Sequence, residues 1–285
     1  MSAHWLYLDS LPTLPNLFVH AALKRKVTGT QLPELGLRCW MSVDQAKLAA
    51  YRQVCGYPDS SLLPPTYPHA LAFPLQMQLM TAKDFPFPLL GLIHLGNRIT
   101  VHRPLGGVSK VYIGVHAHNL QPHAKGATFN LLTQVEDSLG ILWEEESTML
   151  CRGVQLEGAA EGDFEPAPLP VSEVARWEAT ADIGRRYAKA SGDYNPIHLS
   201  GPSAKLFGFP QAIAHGMWLK ARTLAALEDH LPASNVEISV QFQKPVRLPS
   251  EVVLSASTSG SHGQFKLEGA QGIVHMLGTW QPAVE

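Results

Sequence analysis

The chain has 285 residues, of which 45% are hydrophobic and 16% are charged, and its formal net charge is −2. This balance indicates a globular protein with enough material for one large domain or two smaller ones, and it excludes extensive disorder. Since no basic surface is indicated, neither nucleic acid nor a membrane is expected as a partner.

The N-terminus shows no basic head followed by an apolar core, so no secretion signal is expected. No apolar run approaches the ~20 residues that cross a bilayer. Cys39, Cys55 and Cys151 are too few and too far apart for a disulfide framework or a zinc knuckle. They predict free thiols in a reducing compartment, and we therefore expect a cytoplasmic protein.

The first half places helix-forming material before strands. Residues 110–118, 127–137 and 140–150 alternate apolar and polar side chains, as half-buried antiparallel strands do. Glu136–Gly140 is typical of a hairpin turn between the last two strands. Residues 152–172 follow, rich in Gly, Ala, Glu and Pro, and this composition indicates an interdomain linker.

The second half repeats this order of helix and strands. Ala214–His230 has apolar residues at the three-and-four spacing of a long, partly buried helix. Alternating strands follow at 235–246, 250–260, 263–269 and 272–281. A long helix wrapped by an antiparallel sheet, occurring twice, predicts an α+β fold.

A faint internal repeat supports duplication. Two pairs of segments match in the same order, and their shared order predicts a duplicated unit. The first match aligns Tyr51 with Tyr187 and Gly56 with Gly192, and the second aligns Phe85–His94 with Phe207–His215.

The segment Tyr187–Gly216 concentrates the residues suited to chemistry. Pro196 stiffens the chain between Asp193 and His198, and Asn195 can hold the turn by bonding local backbone. A carboxylate held beside an imidazole can move protons near neutral pH. The Gly216 amide, at the start of the predicted helix, can donate to a carbonyl oxygen that gains negative charge.

Structural alternatives exist for these residues. The Asp193–His198 loop can be a capped turn with no chemistry. His215 suits a hydrogen-bonded core histidine, with Gly216 as the working residue, or a direct role in the mechanism. His116, His118 and His123 form H-x-H-x4-H, but no carboxylate or Cys accompanies them in sequence, so no metal site is expected. No nucleophile motif or phosphate loop is present, and no cofactor is expected.

Residues Tyr187–Ala204, YAKASGDYNPIHLSGPSA, resemble the signature of the MaoC-type, hydratase-2 family of hot-dog-fold enzymes. That signature is Tyr or Phe, a short spacer, Ser-Gly-Asp-x-Asn-Pro-aliphatic-His, and a small residue six positions on. The following GFPQAIAHGM resembles the family as well, whereas Ala190 departs from it where a larger aliphatic residue or Gly is usual. The likeness is to bacterial two-domain 3-hydroxyacyl-thioester dehydratases and extends weakly over nearly the whole chain.

The resemblance implies reversible syn hydration of a trans-2-enoyl thioester to the (R)-3-hydroxyacyl thioester, carried by coenzyme A or acyl carrier protein. It implies that Asp193 and His198 flank one water, that Asn195 supports their loop, and that the Gly216 amide polarises the thioester carbonyl. Substrate contacts are implied for five residues: Tyr187, Ile213, Ala214, His215 and Met217. Two hot-dog units packed as a pseudo-dimer are implied too, and the whole chain can pair again as a homodimer.

The repeat predicts one site. At the positions of Asp193, Asn195 and His198, the first half has Tyr57, Asp59 and Leu62 by alignment. We therefore expect a degenerate N-terminal hot-dog domain (1–151) that shapes the acyl pocket, and a catalytic C-terminal domain (173–285). In the N-terminal domain, Gly56–Phe85 is longer than the aligned Gly192–Phe207 of the second half, and an insertion, LPPTYPHALAFPLQMQL, explains the difference.

Two other functions are compatible with such a fold, namely a non-catalytic acyl-thioester-binding protein and a hot-dog thioesterase. The intact Asp193 and His198 pair argues against the binder. A thioesterase would need a carboxylate on the long helix, which offers none before Glu228.

Overall fold

The computed structural model describes residues 4–11, 13–159, 170–259 and 261–283. The first half contains β1 (His4–Leu8), α1 (Leu14–Leu23), β2 (Leu35–Ser42), α2 (Gln45–Cys55), α3 (Tyr67–Thr81), β3 (Ile93–Val101), β4 (Lys110–His123), β5 (Gly126–Asp137) and β6 (Gly140–Arg152). The second contains β7 (Ser172–Ala179), α4 (Ile183–Ser191), α5 (Gly201–Lys205), α6 (Gly216–Ala226), β8 (Val236–Phe242), β9 (Ser250–Ser259), β10 (His262–Glu268) and β11 (Val274–Pro282). Short 3-10 turns cover Pro196–His198, Glu228–His230 and Ala270–Gly272.

The described strands form one 11-stranded sheet in the order β1-β2-β4-β5-β6-β3-β8-β11-β10-β9-β7. Pairing is antiparallel throughout except between β1 and β2, which run parallel. The two halves meet where β3 pairs with β8, with Ile99 opposite Ile238. The predicted α+β arrangement, with a helix and antiparallel strands in each half, is confirmed, and the strands of both halves join in one sheet.

A buried lysine lies at this junction of the halves. Lys220 of α6 is 0% exposed. Its Nζ donates to the backbone oxygen of Asn97 (3.1 Å), to Asn97 Oδ1 (2.6 Å) and to the backbone oxygen of Ile238 (3.0 Å). Asn97 in turn donates to Glu145 of β6, so a polar network links the central helix of the second half to strands of the first. Buried polar groups need such partners, and these fix how the two halves dock.

The first repeat match is confirmed by the helix ends. α2 ends at Gly56 with φ 76° and α4 ends at Gly192 with φ 85°, both in the left-handed region that Gly adopts most easily. Tyr51 and Tyr187 lie one turn before these ends, and their ring centroids are 5.9 Å apart. The two helices therefore have corresponding positions in the two halves.

The second repeat match is wrong. Phe85–His94 follows the central helix α3 and leads into β3, whereas Phe207–His215 precedes the central helix α6. The predicted insertion in the first half is therefore mainly α3 itself. Two prolines argue against a helix in the sequence, although both lie in α3. Pro68 lies in its first turn, where no amide donor is needed, and Pro74 lies within it.

The long helix is shorter than predicted. α6 begins at Gly216 because His215 is still extended (φ −66°, ψ 135°), and the amide of Ala214 donates to the backbone oxygen of Val246. It ends at Ala226 because the Leu227 amide donates to the backbone oxygens of both Thr223 and Leu224, which tightens the last turn.

Several smaller predictions can be compared with the structure. Asp137 pairs with Gly140, which confirms the hairpin turn. Cys39, Cys55 and Cys151 are free and buried. Most of the predicted linker, 160–169, lies outside the described residues. None of the described helices is long and apolar enough to cross a bilayer.

The three histidines of β4 are only partly aligned. The rings of His116 and His118 stack with centroids 5.9 Å apart, as expected for i and i+2 on a strand. The strand register then shifts between His118 and Gln121, where Asn119 takes a positive φ of 56°. His123 is therefore displaced from the pair.

Candidate active site

The loop after α4 is built by local hydrogen bonds. Following Gly192, the Asp193 amide donates to Ser191 Oγ (3.2 Å), and the Asn195 amide donates to Asp193 Oδ1 (3.1 Å). Asn195 Oδ1 then accepts from the Ile197 amide (3.4 Å), which caps the 3-10 turn that Pro196 begins. The predicted role of Asn195 in holding the turn is confirmed. The Asp193 side chain, part of whose hydrogen-bonding capacity serves this turn, remains 28% exposed.

α4 lies flush against this loop. A Cβ at Gly184 would overlap the backbone oxygen of His198, so only glycine allows the helix to approach the turn so closely. Gly184 is a residue that sequence reasoning missed. The helix therefore fixes where the His198 backbone, and with it the imidazole, is held.

Asp193 and His198 come together as predicted. A ring nitrogen of His198 lies within 4.8 Å of a carboxylate oxygen of Asp193. His198 Nδ1 is 2.8 Å from the backbone oxygen of Ile213, to which it donates. This bond fixes the tautomer, so Nε2 keeps its lone pair and can accept a proton.

The surroundings of His198 favour the neutral imidazole. Burial, the largest cause, and the neighbouring His215 together lower its pKa to about 3. Asp193 and the Ile213 carbonyl oppose this shift, but burial is the larger effect. His198 is therefore a neutral base at physiological pH.

His215 lies against the pair. Its Nε2 donates to the backbone oxygen of Asp193 (3.0 Å), and its ring stacks on His198 with centroids 3.7 Å apart and planes at 27°. On another side the Tyr187 ring lies 4.9 Å away. The side chain is 2% exposed, and burial lowers its pKa to about 3.

Gly216 stands at the start of α6, as the oxyanion-donor prediction requires. The first bond within the helix runs from the Leu219 amide to the His215 carbonyl. The amides of Gly216, Met217 and Trp218 therefore have no acceptor within the helix. A Cβ at Gly216 would lie 3.0 Å from the Phe242 ring, so this ring packs directly against the helix start. Phe242 is a second residue that sequence reasoning missed.

The predicted substrate-contact residues surround this point, but their side chains are covered. Their exposed fractions are 1% for Tyr187, 7% for Ile213, 5% for Ala214, 2% for His215 and 5% for Met217. Ile213 uses its backbone to hold His198, and Ala214 uses its backbone to bond Val246. These residues shape and support the wall of the site.

The corresponding loop of the first half is closed by an arginine. Arg52 of α2 is 7% exposed and donates to the backbone oxygens of Pro58 (2.9 Å), Ser60 (3.0 Å) and Leu62 (2.6 Å). Sequence reasoning missed this residue, because its partners are backbone atoms.

The alignment of Leu62 with His198 is wrong. Leu62 bridges Gly106 in the chain after β3, just as Ile213 bridges Arg247 in the chain after β8. Leu62 therefore takes the place of Ile213, and the first half lacks the segment that carries His198 and α5. Tyr57, aligned with Asp193, is 8% exposed, and its hydroxyl lies 3.4 Å from Thr66 Oγ1.

Asp193, His198 and His215 also have the residue types of a metal site, and one possible ligand atom from each lies within 4.8 Å of the others. Their arrangement does not fit one. His198 Nδ1 and His215 Nε2 are both hydrogen-bonded to backbone oxygens, and two imidazoles stacked face to face do not direct their remaining nitrogens to one point. The cluster suits proton transfer better than metal binding.

Known proteins resemble this chain over nearly its full length. The MaoC like domain family matches residues 161–277. A 3-hydroxyacyl-thioester dehydratase X of Mycobacterium tuberculosis is 37% identical over 276 residues, which cover 95% of this chain and 93% of that protein. The peroxisomal enoyl-CoA hydratase 2 of Arabidopsis thaliana is 30% identical over 144 residues, covering 44% of this chain and 45% of that protein.

A solved structure shows the same fold. The crystal structure of HtdX of Mycobacterium tuberculosis superposes with a TM-score of 0.77 at 35% identity, covering 87% of this chain and 99% of that one. The double hot-dog prediction is thereby confirmed. Since the likeness spans both halves and includes the loop with Asp193 and His198, this chain belongs to the family of MaoC-like dehydratases.

Proposed function

We propose that this protein is an (R)-specific trans-2-enoyl-thioester hydratase that also works in reverse as a 3-hydroxyacyl-thioester dehydratase. The observation that supports this most is the neutral, buried His198, whose ring nitrogen lies within 4.8 Å of an Asp193 carboxylate oxygen. The names of the relatives describe this reaction in its two directions.

The proposed reaction places one water between Asp193 and His198. The pair takes one proton from this water, whose oxygen bonds to C3 of the enoyl group, and returns one proton to C2 on the same face. Because Nδ1–H of His198 is held by Ile213, Nε2 is its proton-accepting atom. The two groups act as one coupled acid/base unit.

The start of α6 supplies the electrostatic part of the proposal. As oxygen adds to C3, negative charge moves to the thioester oxygen. The Gly216 amide has no acceptor within the helix, lies at the positive end of the helix dipole, and can donate to that oxygen. The covered side chains of Ile213, Ala214 and Met217 keep this wall rigid.

The remaining parts of the proposal concern the whole chain. We divide it into a degenerate hot-dog domain at 1–151, a linker at 152–172 and a catalytic domain at 173–285. The substrate is a coenzyme A or acyl carrier protein thioester whose tail contacts the first half. A cytoplasmic location suits three free, buried cysteines.

Neither alternative is favoured by an observation. α6 carries no carboxylate, since its residues are GMWLKARTLAA, so a thioesterase acid on this helix is missing. Glu228 lies beyond the helix in the next 3-10 turn. A protein that only bound the thioester would not need a free imidazole lone pair opposite a carboxylate.

The test replaces each member of the pair while keeping its structural bond. In Asp193→Asn the amide oxygen can still accept from the Asn195 amide, and in His198→Asn the side-chain amide can still reach the Ile213 carbonyl. Each variant should lower the hydration of crotonyl and octenoyl thioesters at least ~100-fold, the usual size of lost acid/base catalysis. The rate is followed by the loss of enoyl absorbance, and the product is checked for (R) configuration.

Asp59→Asn is the matched control, because Asp59 is an exposed carboxylate in the corresponding loop of the first half. It should leave the rate unchanged. A folded Asp193→Asn or His198→Asn variant that kept more than about a tenth of the activity would contradict the proposed pair. Hydrolysis to free acid in place of hydration would instead identify a thioesterase.

A further inference from the structure

We propose that His215 is a positioning residue of the reaction, which holds Asp193 and His198 in one arrangement with the start of α6. This inference rests on the proposed function. It replaces the two roles considered from the sequence, a core histidine without a part in the reaction and a residue that touches the substrate.

The first observation is that His215 joins three separate elements. Its Nε2–H donates to the backbone oxygen of Asp193 in the loop after α4, at 3.0 Å. Its ring covers the ring of His198 at 3.7 Å in the 3-10 turn. Its own carbonyl accepts the first bond of α6, and the next residue is Gly216. A shift of His215 therefore moves all the groups assigned to the chemistry.

The second observation is that His215 is itself covered. It is 2% exposed and lies between His198 and the ring of Tyr187. A side chain in this place cannot act on substrate directly, because no open surface reaches it. It can act only through the groups that it touches.

The stacked ring also determines the surroundings of His198. The groups facing His198 are the Asp193 carboxylate from its own loop, the His215 imidazole from the residue before α6, and Tyr187 from α4 behind that ring. Burial keeps the pKa of Tyr187 well above its ordinary value, so the phenol is neutral. A neutral His215 occupies the face of His198 where water would otherwise solvate the imidazolium, and so it favours the neutral base.

Two substitutions separate the two contacts of His215. Gln places its amide nitrogen near the position of Nε2, so His215→Gln can keep the bond to Asp193 but loses the flat ring over His198. Phe keeps the ring but loses the bond, so His215→Phe leaves the Asp193 carbonyl without its donor. A structural role alone predicts a lower melting temperature for both and nothing more.

The expected results differ between the variants. In His215→Gln, water reaches His198, and the pKa of His198 rises towards the ordinary 6.5. More of this base is then protonated at acidic pH, so activity falls there. The ratio of kcat/KM at about pH 5.5 to that at about pH 8 should fall several-fold relative to the parent protein. In His215→Phe, this ratio should stay unchanged while kcat falls about 10-fold or more, with KM little altered.

His275→Gln is the matched control. His275 is a 7% exposed histidine of β11 whose Nδ1 donates to the backbone oxygen of Lys244 at 2.8 Å. Its loss should lower stability and leave the pH ratio unchanged. If both folded His215 variants keep the parent's pH ratio and kcat, the inference is overturned.

A direct measurement separates this inference from the proposed function. The ring protons of His198 can be titrated by NMR in the parent protein and in His215→Gln, without any substrate. A higher pKa of His198 in the variant supports the positioning role even if no enoyl thioester is hydrated. An unchanged pKa overturns it even if hydration is confirmed.

Discussion

The Gly216→Ala substitution tests the helix start most sharply, because the structure shows where the new methyl group would lie. The added carbon would be 3.0 to 3.2 Å from three atoms of the Phe242 ring, whereas ordinary contacts begin at 3.4 Å. The ring would have to retreat by a few tenths of an ångström. His94 packs against Phe242 with ring centroids 5.0 Å apart, so the retreat is opposed and part of the shift passes to α6.

The magnitudes favour an effect on activity more than on folding. Gly216 does not have a positive φ, so alanine strains no backbone and gains up to ~1 kcal/mol of helix propensity. Overpacking costs about 1–3 kcal/mol, so the net loss is at most ~3 kcal/mol and is ~0–2 kcal/mol when the full gain is realised. Losing a well-placed oxyanion donor costs ~2.7–4 kcal/mol, and a partial shift should cost part of this. We expect a fall of about 10- to 100-fold in kcat.

The assay combines hydration rates on crotonyl thioester with melting temperature for Gly216→Ala, Phe242→Leu and the double variant. Because Leu removes the ring that the methyl group would meet, the double variant should recover most of the rate lost by Gly216→Ala. A folded Gly216→Ala protein with full activity would refute the donor at this position. If the double variant were as slow as Gly216→Ala alone, the steric explanation would be refuted.

Two further predictions concern the first half and the junction. Arg52→Met leaves three backbone oxygens without their donor and should lower the melting temperature by several degrees. The kcat on crotonyl thioester should stay within about twofold, because no chemistry is assigned to the first half. A loss of kcat without unfolding would show that the first half has a catalytic part. Burial lowers the pKa of Lys220 from 10.5 to about 7, so between these pH values the unfolded chain binds the additional proton and stability should rise with pH. Lys220→Met should lack this rise in a comparison of melting temperatures from about pH 7 to pH 10, and equal slopes for both proteins would mean that Lys220 remains charged when folded.

The sequence by itself determined the reacting loop. Asp193, Asn195, Pro196 and His198 are close in the chain, and their turn is held by bonds that span two residues. Such local geometry depends on residue type and spacing, so a contiguous motif identifies it. The two strands that meet at the Asp137–Gly140 hairpin were predictable for the same reason. Their alternation of apolar and polar residues indicates a strand with one buried face.

The tertiary structure decided which distant residues complete the site. His215 covers His198 and Phe242 packs on Gly216 only because the extended segment before α6 is held to the chain after β8, and no sequence spacing encodes that contact. The alignment of the first half is wrong because Pro68 and Pro74 interrupt the helical pattern of α3. Phe85–His94 is similar to Phe207–His215 in residue type but follows its central helix instead of preceding it.

The junction of the halves was likewise invisible in the sequence. β3 and β8 pair across a separation of more than a hundred residues, and Lys220 finds its acceptors on Asn97 and Ile238 there. A lysine in a helix pattern predicts a solvated side chain. Only the packed sheet, which supplies three backbone and side-chain oxygens at one point, makes burial of that amine possible.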